Sequence, residues 1–187
     1  MNIESLIIEL SNDPFNPKLN FDVAVEYERL NQTASAVSFY LRCAEYGKDS
    51  ASVYVYTSLL KLAKCFDDQN DRQATVTNCL LQAIAYQPNR PEGYFLMARF
   101  YERSSNWQEC YTYACIGLMQ YKLPALPADV EYKGEYCLRF EKAVSAYWIG
   151  RKDESLKLFR ELSYESIAPE YEMSVKSNLE RLSNASI

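Results

Sequence analysis

The sequence predicts an all-α chain, a stack of antiparallel helical hairpins, and three observations carry that expectation. Apolar residues recur at helical spacing along most of the 187 residues. Alanine, cysteine and glycine stand where paired helices would cross, and small side chains there let ridges enter grooves. Only 5 Gly and 7 Pro occur beside 48% hydrophobic residues, which argues against disorder and against a strand-rich fold of many tight turns.

The stretch from Pro91 to Tyr121 displays the pattern most plainly. Pro91 is pre-set for a first helical turn, and Ala98 lies between Tyr94, Met97 and Tyr101 on one apolar face. Ser104 and Ser105 break the helix. Asn106, with Glu109 three residues on, has the form of a capping box for a second helix whose crossing side carries Cys110, Ala114 and Gly117.

From the start of the chain, Ile3, Leu6, Ile7 and Leu10 predict a short helix over about 2–11, and the absence of a basic n-region argues against a signal peptide. The turn Asp13–Pro17 then leads into a hairpin over about 17–47. Ala24 and Tyr27 take the places of Ala98 and Tyr101, Asn31–Thr33 forms the break, and Ala36, Tyr40, Cys43 and Ala44 turn inward before Gly47 stops the helix. A second hairpin, over about 50–87, places Tyr56, Leu59, Leu60 and Ala63 against Val76, Leu80, Ala83 and Ile84, split by the polar loop Asp67–Gln73. The third spans 91–121. Pro124 and Pro127 forbid a continuing helix, so Lys122–Val130 is a connection or a binding loop. A fourth hairpin over about 134–163 carries Phe140, Ala143, Val144 and Tyr147, a stop at Gly150, then Leu156, Phe159 and Leu162. Pro169 opens an end helix to about 183, and the expected organisation is one domain over residues 1–187.

Each of these hairpins resembles the tetratricopeptide repeat, a helix-turn-helix unit of 34 residues. The resemblance implies a right-handed superhelical stack, an α-solenoid whose inner face is lined by the first helix of each hairpin.

Composition narrows the function. A net charge of −5 and a pI near 5.0 remove the electrostatic argument for nucleic acid. No apolar run reaches the length of a bilayer span. The six cysteines form no CxxC pair and the chain has no histidine, so the expectation is buried reduced thiols, no metal and a cytoplasmic compartment. Without histidine there is no Ser-His-Asp or Cys-His pair, and no Gly-rich phosphate loop occurs. The nearest approach to a metal cluster, Asp67, Asp68 and Asp71, reads as a solvated loop, and Glu26 and Glu28 as a solvated face. The expectation is a protein that is not an enzyme and needs no cofactor.

What remains is a binding surface. In the repeat register the inner face receives Phe21 and Arg29, then Lys61 and Lys64, then Phe95, Arg99 and Arg103, and finally Tyr147 and Trp148. Aromatic anchors beside cations suit an acidic peptide, a chain carboxylate or a sugar face. A core role for the phenylalanines, and pairing of Arg99 or Arg103 with Glu92 or Glu102, are the plainer alternatives.

Three runs resemble something narrower: QTASAVSFYLRCAEYG (Gln32–Gly47), PNRPEGYFLMARFYERSSNWQECYTYACIGL (Pro88–Leu118) and DVEYKGEYCLRFEKAVSAYWIGRKDES (Asp129–Ser155). They are similar, in that order, to the helical-repeat region that accompanies glycosyltransferases in tailed phages and large viruses. The likeness runs from about Asn16 to Leu182, without the nucleotide-sugar-binding α/β domain of such proteins. It implies a phage- or virus-encoded interaction module, in the host cytoplasm, that docks a protein or peptide partner such as a glycosyltransferase or its acceptor. A saccharide- or nucleotide-sugar-binding accessory and a structural component of a virus particle are the other readings.

Overall fold

The computed structural model describes residues 2–50, 52–69, 72–121 and 123–184. Among the described residues there are ten α-helices and no strand. They are α1 (Ile3–Asn12), α2 (Pro17–Arg29), α3 (Thr33–Gly47), α4 (Ser52–Asp67), α5 (Gln73–Tyr86), α6 (Pro91–Arg103), α7 (Trp107–Leu118), α8 (Glu135–Trp148), α9 (Lys152–Ser163) and α10 (Pro169–Asn184).

Contacts gather into two compact units, Met1–Pro88 with Leu123–Val130, and Asn89–Lys122 with Glu131–Ile187. In the first unit α1 to α5 pack in series, and α2 also touches α4. In the second α6 to α10 pack in series, and α8 also touches α6 and α10. Within each unit, consecutive helices thus pack on one another, as repeat packing requires. Residues 123–130 form no helix, as Pro124 and Pro127 demand, and end at the buried Val130. Lys122 of that segment and Asp71 of the acidic triplet lie outside the described residues.

Three hairpins close through the same turn. Asn31, Ser105 and Gly150 adopt left-handed conformation, with φ of 56°, 57° and 87°. The next amide in each case reaches back over the helix end: Gln32 N–H donates to the Tyr27 carbonyl at 2.9 Å, Asn106 to Tyr101 at 2.9 Å, and Arg151 to Ala146 at 2.8 Å. The left-handed residue's own amide bonds three residues back, Asn31 to Glu28, Ser105 to Glu102 and Gly150 to Tyr147. These are Schellman motifs, which satisfy carbonyls that a helix end leaves orphaned. Aligned on that residue, Phe21, Phe95 and Phe140 fall in register, as do Ala24, Ala98 and Ala143 before the turn and Ala36, Cys110 and Ser155 after it. The last six are fully buried, so both helices meet through small side chains.

The turn also corrects the capping expected at Asn106, whose side chain makes no cap bond. Its backbone N–H is already donated to Tyr101, so Glu109 finds no free amide to reach back to. Side-chain caps lie instead at Asn2, which accepts from Glu4 N–H at 3.3 Å, and at Asn16, which accepts from Leu19 N–H at 3.1 Å ahead of Pro17 at the first turn of α2.

In the second unit α7 crosses its neighbours closely at Gly117. A Cβ there would lie 2.8 Å from Leu138 Cδ2 and 3.0 Å from Tyr94 Cβ. The leucine tip can turn away, but the tyrosine Cβ moves only with its backbone. Gly117→Ala therefore gains about 1 kcal/mol of helix propensity and loses about 1–3 kcal/mol to overpacking. We expect net destabilisation of about 1 kcal/mol, read by denaturant unfolding followed through tryptophan emission; an unchanged or raised midpoint would refute the close crossing.

Candidate functional site

In the first unit the expected surface residues turn out to be engaged in the fold. Phe21 is 1% exposed and meets Tyr40 and Tyr54 edge-on, with centroids 5.9 and 5.3 Å away, so it fills the core and offers no face to a partner. Lys61 is 8% exposed, and its ammonium donates to Glu28 Oε1 at 2.9 Å. The other oxygen of Glu28 accepts the Tyr40 hydroxyl at 2.6 Å. Glu28, read from the sequence as a solvated residue, instead ties α2, α3 and α4 together. A buried ammonium needs a carboxylate beside it, but no local spacing in the sequence links residues 28, 40 and 61. Lys64 is half-buried, and Arg29 is exposed and paired along its own helix with Glu26 at 2.9 Å.

The second unit treats its candidates differently. Phe95 is 0% exposed, packed against Tyr132 at 5.4 Å, and so belongs to the core. Arg99 donates to Glu131 Oε2 at 2.9 Å while its guanidinium lies 5.7 Å from the Phe95 ring centre. Glu92 is held by Arg90 at 2.7 Å, both residues buried. Arg103 is exposed at the end of α6. Beneath these arginines Glu141 of α8 is 4% exposed, with an Oε2 that has no hydrogen-bond partner among the described residues. Burial, seconded by the nearby Glu102, pushes its carboxyl up to about 8, against the opposing pull of Arg99 and Arg103.

Tyr147 and Trp148 stand at a cavity of about 810 Å³, whose walls come mainly from α8 and α10. Trp148 stacks on Trp107 with ring centres 5.2 Å apart and planes 14° from parallel, and Tyr147 meets it edge-on at 5.4 Å. Phe140 and Phe159 pack edge-to-face on the inner side. Trp148 is 58% exposed and Met173, across on α10, 74%. Glu102, Asn178 and Arg181 add polar groups to the lining. Of the residues expected at a partner surface, the structure thus brings Tyr147 and Trp148 together here. Reasoning from sequence missed Trp107, Met173 and Arg181, because the stop at Gly150 and the loop before Pro169 conceal which faces of α8 and α10 approach.

Among the described residues no three of His, Cys, Asp and Glu are placed to hold a metal, and no helix is long and apolar enough to cross a membrane. Cys43, Cys65, Cys110 and Cys137 are buried, Cys79 and Cys115 half-buried, and all six are free thiols. Burial pushes the Cys110 thiol up to about 12, which makes it a poor nucleophile.

No family model matches the sequence. No curated protein matches it either. Solved structures do: a tetratricopeptide repeat protein from Parabacteroides merdae ATCC 43184 aligns with a TM-score of 0.71 at 16% identity, over 97% of this chain and 66% of its own. YrrB, described as a TPR protein with an unusual peptide-binding site, aligns at 0.65 and 12% identity over 87% and 75% of the two chains. MamA aligns at 0.64 and 14% over 84% and 82%. At these identities the likeness is one of fold, and the chain has the all-helical fold of tetratricopeptide-repeat proteins.

Glu141 generates a signed prediction. Its folded carboxyl holds a proton up to about pH 8, whereas the unfolded chain releases it near the ordinary glutamate value of 4.5, so stability falls as pH rises between the two. Glu141→Gln should remove that cost, gaining up to roughly 3 kcal/mol at pH 7 and little near pH 4.5. Melting curves at both pH values test this; an equal offset at each would sink it.

Proposed function

We propose that this chain is a non-enzymatic protein-interaction module of the tetratricopeptide type, and that the second unit docks its partner at the cavity walled by α8 and α10. The observation that carries the reading is the exposure of Trp148 and Met173 at that cavity. Phe21 and Phe95, the phenylalanines expected at the surface, are buried, whereas Trp148 and Met173 keep apolar surface open to solvent at one hollow. Tryptophan is the side chain most often found at the energetic centre of a protein interface. The fold supports the reading by analogy, since repeat scaffolds act through the faces their helices present.

The partner we infer is a glycosyltransferase or its acceptor, on the resemblance of Pro88–Leu118 and Asp129–Ser155 to the repeat region that accompanies such enzymes. The same resemblance makes the chain phage- or virus-encoded. Its six free thiols favour the cytoplasm, in that case the host's.

A photo-crosslinking residue at Met173 of the full chain, and another at Ile8 of α1 as a control for exposed apolar positions, tests this in the source cells. We expect a single adduct from position 173, identified by mass spectrometry as a glycosyltransferase or its acceptor, and absent when Trp148 is changed to Ala. Adducts from position 8 alone, or adducts indifferent to Trp148, would refute the surface. An adduct with an unrelated protein would refute the partner.

A further inference from the structure

We propose that the cavity between α8 and α10 binds a neutral pyranose ring of a saccharide, its C–H face laid against Trp148. The inference goes beyond the docking of a protein and needs no protein partner. It rests on the cavity's own chemistry.

The platform comes first. Trp107 lies parallel to Trp148 at 5.2 Å, so one indole buttresses the other and fixes its plane before any ligand arrives. Trp148 nonetheless leaves 58% of its surface exposed. A flat aromatic face carries negative charge density, and the slightly positive C–H groups on one side of a pyranose suit it. An ordered platform also lowers the entropic cost of binding.

The polar lining then selects the class of ligand. Glu102 offers two acceptor oxygens, Arg181 a fork of donors, and Asn178 and Ser177 mixed groups. Asn178 donates one N–H to the Ser174 carbonyl at 2.9 Å, which anchors its amide with the carbonyl oxygen still available. Among the described residues neither Glu102 nor Arg181 has an ion-pair partner. Their charges are opposite, so the lining as a whole asks for a ligand without net charge but rich in both donors and acceptors. Hydroxyls of a sugar supply both. A nucleotide sugar would bring two phosphates to a lining with one cation, so the inference is to a plain saccharide. A volume of about 810 Å³ lies within the usual range for small-ligand sites.

The test uses the full chain and its own reporters, because Trp107 and Trp148 are the 2 tryptophans of the sequence. Cellobiose, chitobiose and mannobiose are titrated to about 50 mM, a range that reaches millimolar dissociation constants. We expect a saturable emission change with at least one of them. Binding should be about tenfold weaker in Glu102→Gln, where a charged acceptor is lost, and abolished by calorimetry in Trp148→Ala, which alters an exposed side chain. Ribonuclease B, with ribonuclease A as the same protein without its glycan, separates the sources. A response to the former alone points to protein-borne glycans, and a response to free disaccharides alone to soluble sugar. No saturable change with any sugar, a change undiminished in both variants, or an equal response to both ribonucleases overturns the proposal. None of these outcomes bears on adducts formed at position 173.

Discussion

The amide that closes one helix also opens the next. At Gln32, Asn106 and Arg151 a single backbone N–H caps the preceding carbonyls while the same residue serves as N-cap of the following helix. The left-handed residue before it leaves the chain one direction in which to turn. With direction and register fixed over so short a connection, the two helices meet at the same residues each time. Those residues must be small, which is why Ala24, Ala98 and Ala143 face Ala36, Cys110 and Ser155 in the same order.

That geometry fills the apolar layers and leaves the charged side chains to act between helices. Glu28 holds Lys61 and Tyr40 in the first unit. In the second, Arg151 donates to the Tyr111 hydroxyl at 2.9 Å, which donates to Glu154, and Lys142 reaches the same carboxylate at 2.9 Å, so α7, α8 and α9 share one polar tie. Buried charges are tolerated only in such arrangements. Lys61 and Arg99, cations that look available in a linear sequence, are therefore drawn into the scaffold, whereas Tyr147 and Trp148 stand at the hollow where α10 meets α8.

Helix period and breakers made the class and the order of helices legible, because both are local properties of the chain. The shared places of Ala24 and Ala98, and of Tyr27 and Tyr101, were legible too, but exposure was not. Phe95 is covered by Tyr132, and Phe140 by Phe159 and Tyr171, residues that come from outside the hairpin's first helix. The cap at Asn106 failed for a related reason: the expected bond competes with one made to the helix before it. Likewise Glu102 and Arg181 converge on one cavity from α6 and α10, a proximity created by packing and carried by no spacing.

The thiols divide evenly between the two units. Cys43, Cys65 and Cys79 belong to the first, and Cys110, Cys115 and Cys137 to the second; in each, two are buried and one is half-buried. Because only the thiolate reacts and burial suppresses it, each unit presents one thiol that is reached early and two that wait for the helices to part. Alkylation of the two buried thiols in each unit is thus tied to the opening of the helices that cover them.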